Sequence, residues 1–107
     1  MADEYNRTTE AEIAEGVLII LSLRHSGKGH FEDLFRTLPK VLDLTAEDLT
    51  QSESRPSEAV WQQRLRNITS HKNSDGNYIK EGFLIEIDGG LMITDDGRRR
   101  ATPPKKT

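Results

Sequence analysis

The spacing of the apolar residues changes after Gly82, and this change constrains the fold more than any other feature of the sequence. From 56 to about 72, apolar residues recur three or four positions apart, which predicts a long amphipathic helix. Two β-rich runs follow at 83–87 and 91–94, and the turn residues 88–90 between them predict a tight hairpin. The second half of the chain is therefore predicted to be a helix followed by a β-hairpin.

The first half of the chain is predicted to begin with a helix. Thr8 and Thr9 are candidate N-caps for it. Its apolar residues follow helical spacing at Ile13, Val17, Leu18, Ile20, Leu21 and Leu23. The segment 26–29 contains two glycines, which can adopt the left-handed conformation that ends a helix. Residues 30–31 are then a candidate stub of strand.

A second amphipathic helix is predicted after this stub. Its apolar residues are Leu34, Phe35, Leu38, Val41 and Leu42. Pro39 lies inside the pattern, so it should kink or split the helix. Residues 45–48 resemble a capping box, which predicts a short third helical segment before the polar linker at 51–54.

Length and composition limit the classes of protein further. At 107 residues, with 34% apolar and 31% charged side chains, the chain can form one domain but not a TIM barrel or a two-lobed enzyme. Its longest apolar run, 17–21, is far shorter than the ~20 residues that cross a bilayer. The sequence has no cysteine, which excludes disulfides and thiolate zinc sites. A polar start without a secretory apolar region predicts a cytoplasmic protein that does not bind membranes.

The net charge of −3 hides an uneven distribution. Residues 1–54 contain 5 Lys/Arg and 11 Asp/Glu, a net charge of −6, whereas residues 55–107 contain 10 and 7, a net charge of +3. Because only the local field attracts a polyanion, an acidic chain can still present a basic surface. The overall charge therefore does not exclude a nucleic-acid partner.

The order of these elements predicts an α+β, mainly α, fold. The specific expectation is a winged helix-turn-helix, with three to four helices followed by a β-hairpin wing. The domain is predicted to span 9–97, after a flexible N-terminus at 1–8. Residues 98–107 are basic, contain two prolines and have little to bury, so they are predicted to form a disordered tail.

Three short patterns in the second half are more specific than the order of elements. They are an Arg-Asn pair at 66–67, a Gly-Phe-Leu entry to the hairpin at 82–84, and an Ile-Thr-x-x-Gly-Arg exit at 93–98. Together they resemble the winged-helix domain of Mrr-type restriction endonucleases, with a good match over about 60–98. In that family the domain binds DNA and a separate domain cuts it. The resemblance implies a recognition module of a restriction or defence system, with a nuclease as candidate partner, or a transcriptional regulator.

The outward face of the long helix fits a DNA major groove. Arginine can bond guanine, glutamine or asparagine can bond adenine, and small residues such as Ala59 allow a close approach. Trp61 lies on the apolar stripe, so we interpret it as a core residue rather than a base-stacking platform. The hairpin tip at 88–90 is acidic, so the arginines at 98–100 are candidate substitutes for a wing contact. The candidate DNA-binding residues are Arg55, Gln62, Gln63, Arg64, Arg66, Asn67, Ser70, Lys72, Arg98, Arg99 and Arg100.

The sequence does not carry a recognisable catalytic or metal-binding pattern. The glycines at 27–29 lack the spacing of a phosphate loop. His30 and Asp33 provide two ligands where a metal needs three or four, and we interpret His71 as a helix-end residue that bonds a carbonyl or a phosphate. Glu86 and Asp88 lack the Glu-x-Lys partner of a nuclease site. We therefore predict a protein that is not an enzyme and holds no cofactor or metal.

Two other functions remain open at this point. The acidic first half and its aliphatic first helix could form a homodimer or partner surface, which would make the chain a protein-interaction module. Nucleic-acid binding without sequence preference is the other alternative. A contiguous positive stripe through Arg55, Arg64, Arg66 and Lys72 would favour DNA, whereas a neutral or apolar groove would favour protein.

Overall fold

The computed structural model describes residues 8–52 and 57–101. Its helices are α1 (Glu10–Ser22), α2 (Phe31–Thr37), α3 (Val60–Ser70) and α4 (Asp95–Arg100), and its strands are β1 (Lys28–His30), β2 (Leu84–Ile87) and β3 (Gly90–Ile93). Short 3-10 turns cover Leu38–Lys40 and Glu47–Leu49. The predicted α+β class is confirmed, and the hairpin follows the long helix. The predictions for residues 1–7, Arg55, Pro56 and the tail from 102 onward lie outside the described residues.

The strands form one antiparallel sheet with β3 between β1 and β2. Met92 of β3 pairs with Lys28 of β1 and Ile85 of β2, which fixes the register. Because side chains alternate along a strand, one face of the sheet packs into the core through Leu84, Leu91 and Ile93. We call the opposite side the outer sheet face; its residues are Lys28, His30, Ile85, Ile87 and Met92.

Helix α1 lies at the centre of the hydrophobic core, between α3, β3 and α4. Its fully buried residues include Ile13, Val17, Leu18 and Leu21. The aliphatic face that was a candidate dimer surface is therefore inside the domain. Leu23, which the spacing assigns to this face, is 69% exposed because α1 ends at Ser22.

The start of α1 is held by two sets of hydrogen bonds. The Thr9 hydroxyl accepts from the Glu12 N–H (3.1 Å) and the Glu12 carboxylate accepts from the Thr9 N–H (2.8 Å), which is a capping box. The N–H and hydroxyl of Thr8 both donate to the buried carboxylate of Asp48 at 2.6 Å, and the Thr45 N–H donates at 2.9 Å. Asp48 thus joins the start of α1 to the second 3-10 turn.

This environment changes the acidity of Asp48. Burial favours the neutral acid, but the hydrogen bonds from Thr45 and Thr8 outweigh burial and lower the pKa of Asp48 from its ordinary value of 3.8. The carboxylate is therefore charged and fully satisfied at neutral pH.

The connection between the first two helices largely follows the prediction. Gly27 has a φ of +70° and turns the chain into β1, which covers Lys28–His30, so Phe31 begins α2 instead of ending a strand. Helix α2 ends at Thr37, and Pro39 lies in the following 3-10 turn. The predicted break at Pro39 is confirmed.

Helix α3 begins later than the sequence predicts. Its N-cap is Ala59, so Ser57 precedes the helix instead of opening it. The Ser52 N–H donates to the Glu58 carbonyl at 2.8 Å, and Gln51 forms an isolated β-bridge with Ala59. These bonds hold 58–59 in an extended conformation that delays the helix.

The prediction of a disordered tail from Arg98 is wrong for its first residues. Asp95–Arg100 form α4, because the Thr94 hydroxyl caps it by accepting from the Gly97 N–H at 2.9 Å and Ala101 is buried in the core. A side-chain carbon at Gly97 would lie 2.2 Å from the Phe83 carbonyl oxygen, so only glycine allows this approach of α4 to the sheet. Three of the predicted DNA-contacting arginines therefore lie in an ordered helix.

Candidate nucleic-acid interface

Helix α3 has one face anchored in the core. Trp61, Leu65 and Ile68 are buried, and the indole of Trp61 packs edge-on against Phe35 of α2 with ring centroids 5.9 Å apart. The interpretation of Trp61 as a core residue is confirmed, since it is only 3% exposed. This anchoring turns the opposite face of α3 outward. We call that face the outer strip; its residues are Gln63, Arg66, Asn67 and Ser70.

The two glutamines of α3 are engaged in contacts within the chain. The Gln62 side-chain oxygen accepts from the Ala59 N–H at 2.8 Å and so caps the helix. The Gln63 side-chain oxygen accepts from the Ser52 hydroxyl. The sequence assigned both amides to a DNA groove, but the structure uses them to secure the first turn of α3.

Arg66 also bonds within the chain. Its Nε lies 2.8 Å and its Nη2 2.7 Å from the Oε2 of Glu58, and its guanidinium lies 5.3 Å from the ring centroids of both Phe31 and Phe35. Glu58 is 12% exposed in its side chain, so this ion pair is screened less than a surface pair. Arg66 therefore fixes α3 against the start of α2, and the prediction that it reaches base edges does not fit this geometry.

Asn67 and Ser70 differ from these residues. Within the described part of the chain, their side chains have no hydrogen-bond partner; Ser70 is exposed and Asn67 is half-buried. Asn67 keeps both its amide donor and its acceptor available for a ligand. These two side chains are the part of the outer strip that the fold does not use.

The remaining predicted cations of α3 and its C-terminal end do not form a positive stripe. Arg64 donates to the Thr8 carbonyl at 3.2 Å, on the side of α3 that faces α1. Lys72 forms an ion pair with Glu86 of β2, with 3.0 Å between Nζ and Oε1. Because each carboxylate offsets a cation, the field around α3 is weaker than the sequence suggests. Arg55 lies outside the described residues.

The arginines of α4 hold the ends of the domain together. Arg98 donates to the carbonyls of Ser22, Arg24 and His25 at 3.1–3.4 Å, where α1 ends. Arg99 pairs with Asp96 in its own helix. We call Thr94, Gly97, Arg98 and Arg100 the C-terminal anchor.

Arg100 completes this anchor beside α1. Its Nε lies 2.7 Å from Glu15 of α1, and its guanidinium stacks on the rings of Tyr78 and Phe83. Burial and the hydrogen bond to Glu15 raise the pKa of Tyr78. The predicted flexible phosphate-binding arm is thus a set of internal contacts.

His71 also departs from its predicted role. Its Nδ1 lies 2.8 Å from the Glu10 carboxylate, so its ring pairs with α1 instead of a carbonyl or a phosphate. This pair lines a pocket of about 310 Å³ between the start of α1 and the loop after α3, floored by Ala14, Ile68 and Tyr78. Residues 8–52 and 57–101 contain no cluster of three or more metal-binding side chains that could hold a metal ion.

Sequence reasoning did not predict the two basic residues, Lys28 and His30, that lie beside the hairpin. Lys28 and His30 are exposed on β1, and neither has a carboxylate partner in the described ranges. The N–H of Phe31, the next residue, donates to the Gly89 carbonyl at the hairpin tip at 2.9 Å, which brings the tip to the start of α2. The sequence indicated only a short strand at 30–31, and local pattern could not show that this strand pairs with β3.

Comparison with known proteins adds no relative: the chain matches no family model, no curated protein and no solved structure. Among the described residues, no helix combines the length and apolar character needed to cross a membrane.

Proposed function

We propose that this chain is a winged-helix protein that binds double-stranded DNA through the outer strip of α3, acting by recognition rather than catalysis. The order α1, β1, α2, α3, β2, β3 and the sheet order β1-β3-β2 support the winged-helix assignment. In such an arrangement the third helix enters the major groove and the hairpin lies beside it. The role would be that of a regulator or of the recognition part of a restriction or defence system.

The observation that carries this proposal is the division of α3 into a buried and an open face. Its apolar face is fixed in the core by Trp61, so the helix presents Asn67 and Ser70 at a set orientation. An asparagine amide can bond adenine N6 and N7 together, and a serine leaves room for the helix to approach the base edges. A preorganised reading helix loses little entropy on binding.

The paired cations change the expected strength of binding. Arg66 and Lys72 would contact phosphate only by leaving Glu58 and Glu86, so we expect about two or three phosphate contacts. The corresponding slope of log K against log salt is roughly −2 to −3, with weak attraction to random DNA. Base contacts by Asn67 would then provide a large share of the discrimination.

The test begins with selection of preferred duplexes from a random pool, followed by anisotropy titrations against preferred and random duplexes over a salt series. Asn67→Ala should reduce the preference for the selected site about tenfold, the loss of one bidentate contact of ~1–3 kcal/mol, and leave the salt slope unchanged. Asn73→Ala is the matched control, because Asn73 is exposed just beyond α3. Absence of binding to any duplex at low salt would refute the proposal.

A protein-interaction module is the second candidate function. It is favoured by the charge pairing, because the described cations of α3 lack the contiguous positive stripe that would attract DNA. Glu58→Gln discriminates between the two functions. If α3 binds DNA, removing this carboxylate should strengthen binding to random duplexes and steepen the salt slope; if α3 binds protein, duplex binding should stay absent.

A further inference from the structure

The outer sheet face has an apolar centre that the domain does not cover. Ile85 is 48% exposed, and Ile87 and Met92 are partly exposed beside it. The opposite side of the sheet is packed against the helices, so these aliphatic side chains do not belong to the core cluster of Leu84, Leu91 and Ile93. Exposed aliphatic side chains that adjoin one another on a strand pair are a feature of binding surfaces.

One edge of this face carries two basic residues, a lysine and a histidine. The register places Lys28 in line with Met92 and Ile85, and His30 in line with Ile87. In the described ranges neither Lys28 nor His30 has a carboxylate partner, whereas Arg66, Lys72 and Arg100 are all ion-paired. The face therefore combines an aliphatic strip with the charged Lys28 and the imidazole of His30 along one side.

We propose that the outer sheet face binds an acidic, aliphatic-rich segment of a partner protein. Aliphatic side chains of the segment would cover Ile85, Ile87 and Met92, and its carboxylates would pair with Lys28 and accept a hydrogen bond from the His30 ring. The charge of Lys28 favours an acidic partner, and the apolar centre favours a protein segment over nucleic acid, because a phosphate backbone gains nothing from aliphatic surface.

This site is separate from the outer strip of α3. The side chain of Glu86 lies on the inner side of the sheet and reaches Lys72 at the end of α3, so α3 lies across the sheet from the outer sheet face. A partner on the outer sheet face would leave Asn67 and Ser70 accessible. The inference goes beyond DNA binding and holds whether or not α3 binds DNA.

The experiment is selection of peptides from a random display library against the immobilised whole chain, followed by affinity measurement for the enriched peptides. Enriched peptides should combine Asp or Glu with Ile, Leu or Val. Ile85→Ser should weaken their binding about tenfold through lost apolar contact, and Lys28→Glu about fivefold. Lys28→Glu should also enrich basic peptides when the selection is repeated.

Matched controls lie away from the sheet. Leu49→Ser changes an aliphatic residue that is 61% exposed, and Lys40→Glu reverses an exposed cation, so neither should alter peptide affinity. Circular dichroism melting of all four variants should match the parent, because the side chains are on the surface. The proposal is overturned if no acidic peptide is enriched, if the control variants weaken binding as much as Ile85→Ser, or if duplex DNA displaces the peptides from the parent chain.

Discussion

The sequence assigned both the arginines of the C-terminal anchor and the outer strip of α3 to DNA, but the two regions have different roles in the structure. Each residue of the anchor is used by the fold: Thr94 caps α4, Gly97 allows a close backbone approach, and Arg98 bonds the end of α1. On the outer strip, Asn67 and Ser70 have no such use in the described chain. The Ile-Thr-x-x-Gly-Arg pattern therefore serves to stabilise the fold. Candidate recognition residues are those whose side chains make no contact that stabilises the fold.

The same comparison separates two kinds of arginine. Arg66 belongs to the Arg-Asn pair that resembles a DNA-binding family, yet it joins Glu58 and two phenyl rings within the domain. Its neighbour Asn67 is the open member of the pair. The Arg-Asn pair thus contains a structural residue, Arg66, and a candidate DNA contact, Asn67. Their different roles are visible only in the three-dimensional structure.

The largest expected effect is on the buried face of α3. Trp61→Ala should lower the free energy of unfolding by about 3–5 kcal/mol, because a buried aromatic leaves a cavity beside Phe35. Since Trp61 is the only tryptophan, urea unfolding should be followed by circular dichroism. A variant that kept its stability but lost DNA binding would place Trp61 on the reading face and invert the assignment of α3's two faces.

Asp48 tests the other contact that links distant parts of the fold. Asp48→Asn should cost about 1–3 kcal/mol at neutral pH, because an amide cannot accept from Thr8 and Thr45 as a carboxylate does. Because folding lowers the pKa of Asp48, its charged carboxylate contributes fully to the stability of the parent above pH 3.8. That contribution is lost as the pH falls through the folded-state pKa. The variant should lack this part of the acid dependence, while exposed Asp43→Asn should retain it.

Arg98→Ala tests the C-terminal anchor directly. It should cost about 1–1.5 kcal/mol, since a cation is removed from the end of α1 together with its bonds to three carbonyls. Arg99→Ala is the control, because Arg99 pairs only within its helical turn in the described chain and should change stability by less than about 0.5 kcal/mol. If Arg98→Ala reduced the salt slope of DNA binding without loss of stability, the anchor would be a phosphate-binding arm.

The smallest effect on stability is expected on the outer strip. Asn67→Ala should alter the free energy of unfolding by less than about 0.5 kcal/mol, because its side chain bonds nothing within the described residues. The measurement is a thermal melt beside the DNA titration. A clear loss of stability would show that Asn67 is a structural residue, like Arg66, and would remove the distinction between strip and anchor.

Local pattern predicted much of the fold because the relevant signals act over a few residues. Helical spacing identified α1 and α3, Pro39 ended α2, and the turn at 88–90 connected β2 to β3. The errors arose where distant residues decided the outcome. Helix α4 has a local cap in Thr94, but its packing depends on the contacts of Arg98 with the chain after α1 and of Arg100 with Glu15, which the sequence around 95–101 does not reveal.

The candidate site was predicted less well for the same reason. The helical wheel correctly separated Trp61, Leu65 and Ile68 from the outer strip, since that requires only the period of α3. It could not show that Glu58 pairs with Arg66, or that Lys72 meets Glu86 across the hairpin. The wheel gives the direction in which a side chain points, whereas its availability to a ligand depends on tertiary neighbours.

The position of α1 at the centre of the core also has a consequence for the order of folding. Helix α1 is made first, yet its packing partners include β3 and α4, and its bond from Arg100 spans 85 positions in sequence. Closing so long a loop costs entropy before any contact forms. During synthesis the aliphatic face of α1 therefore stays exposed to solvent until β3 and α4 have emerged from the ribosome. A domain arranged in this way should fold in one step once its last helix is available rather than in stages, and α1 is the segment most exposed to misassociation until then.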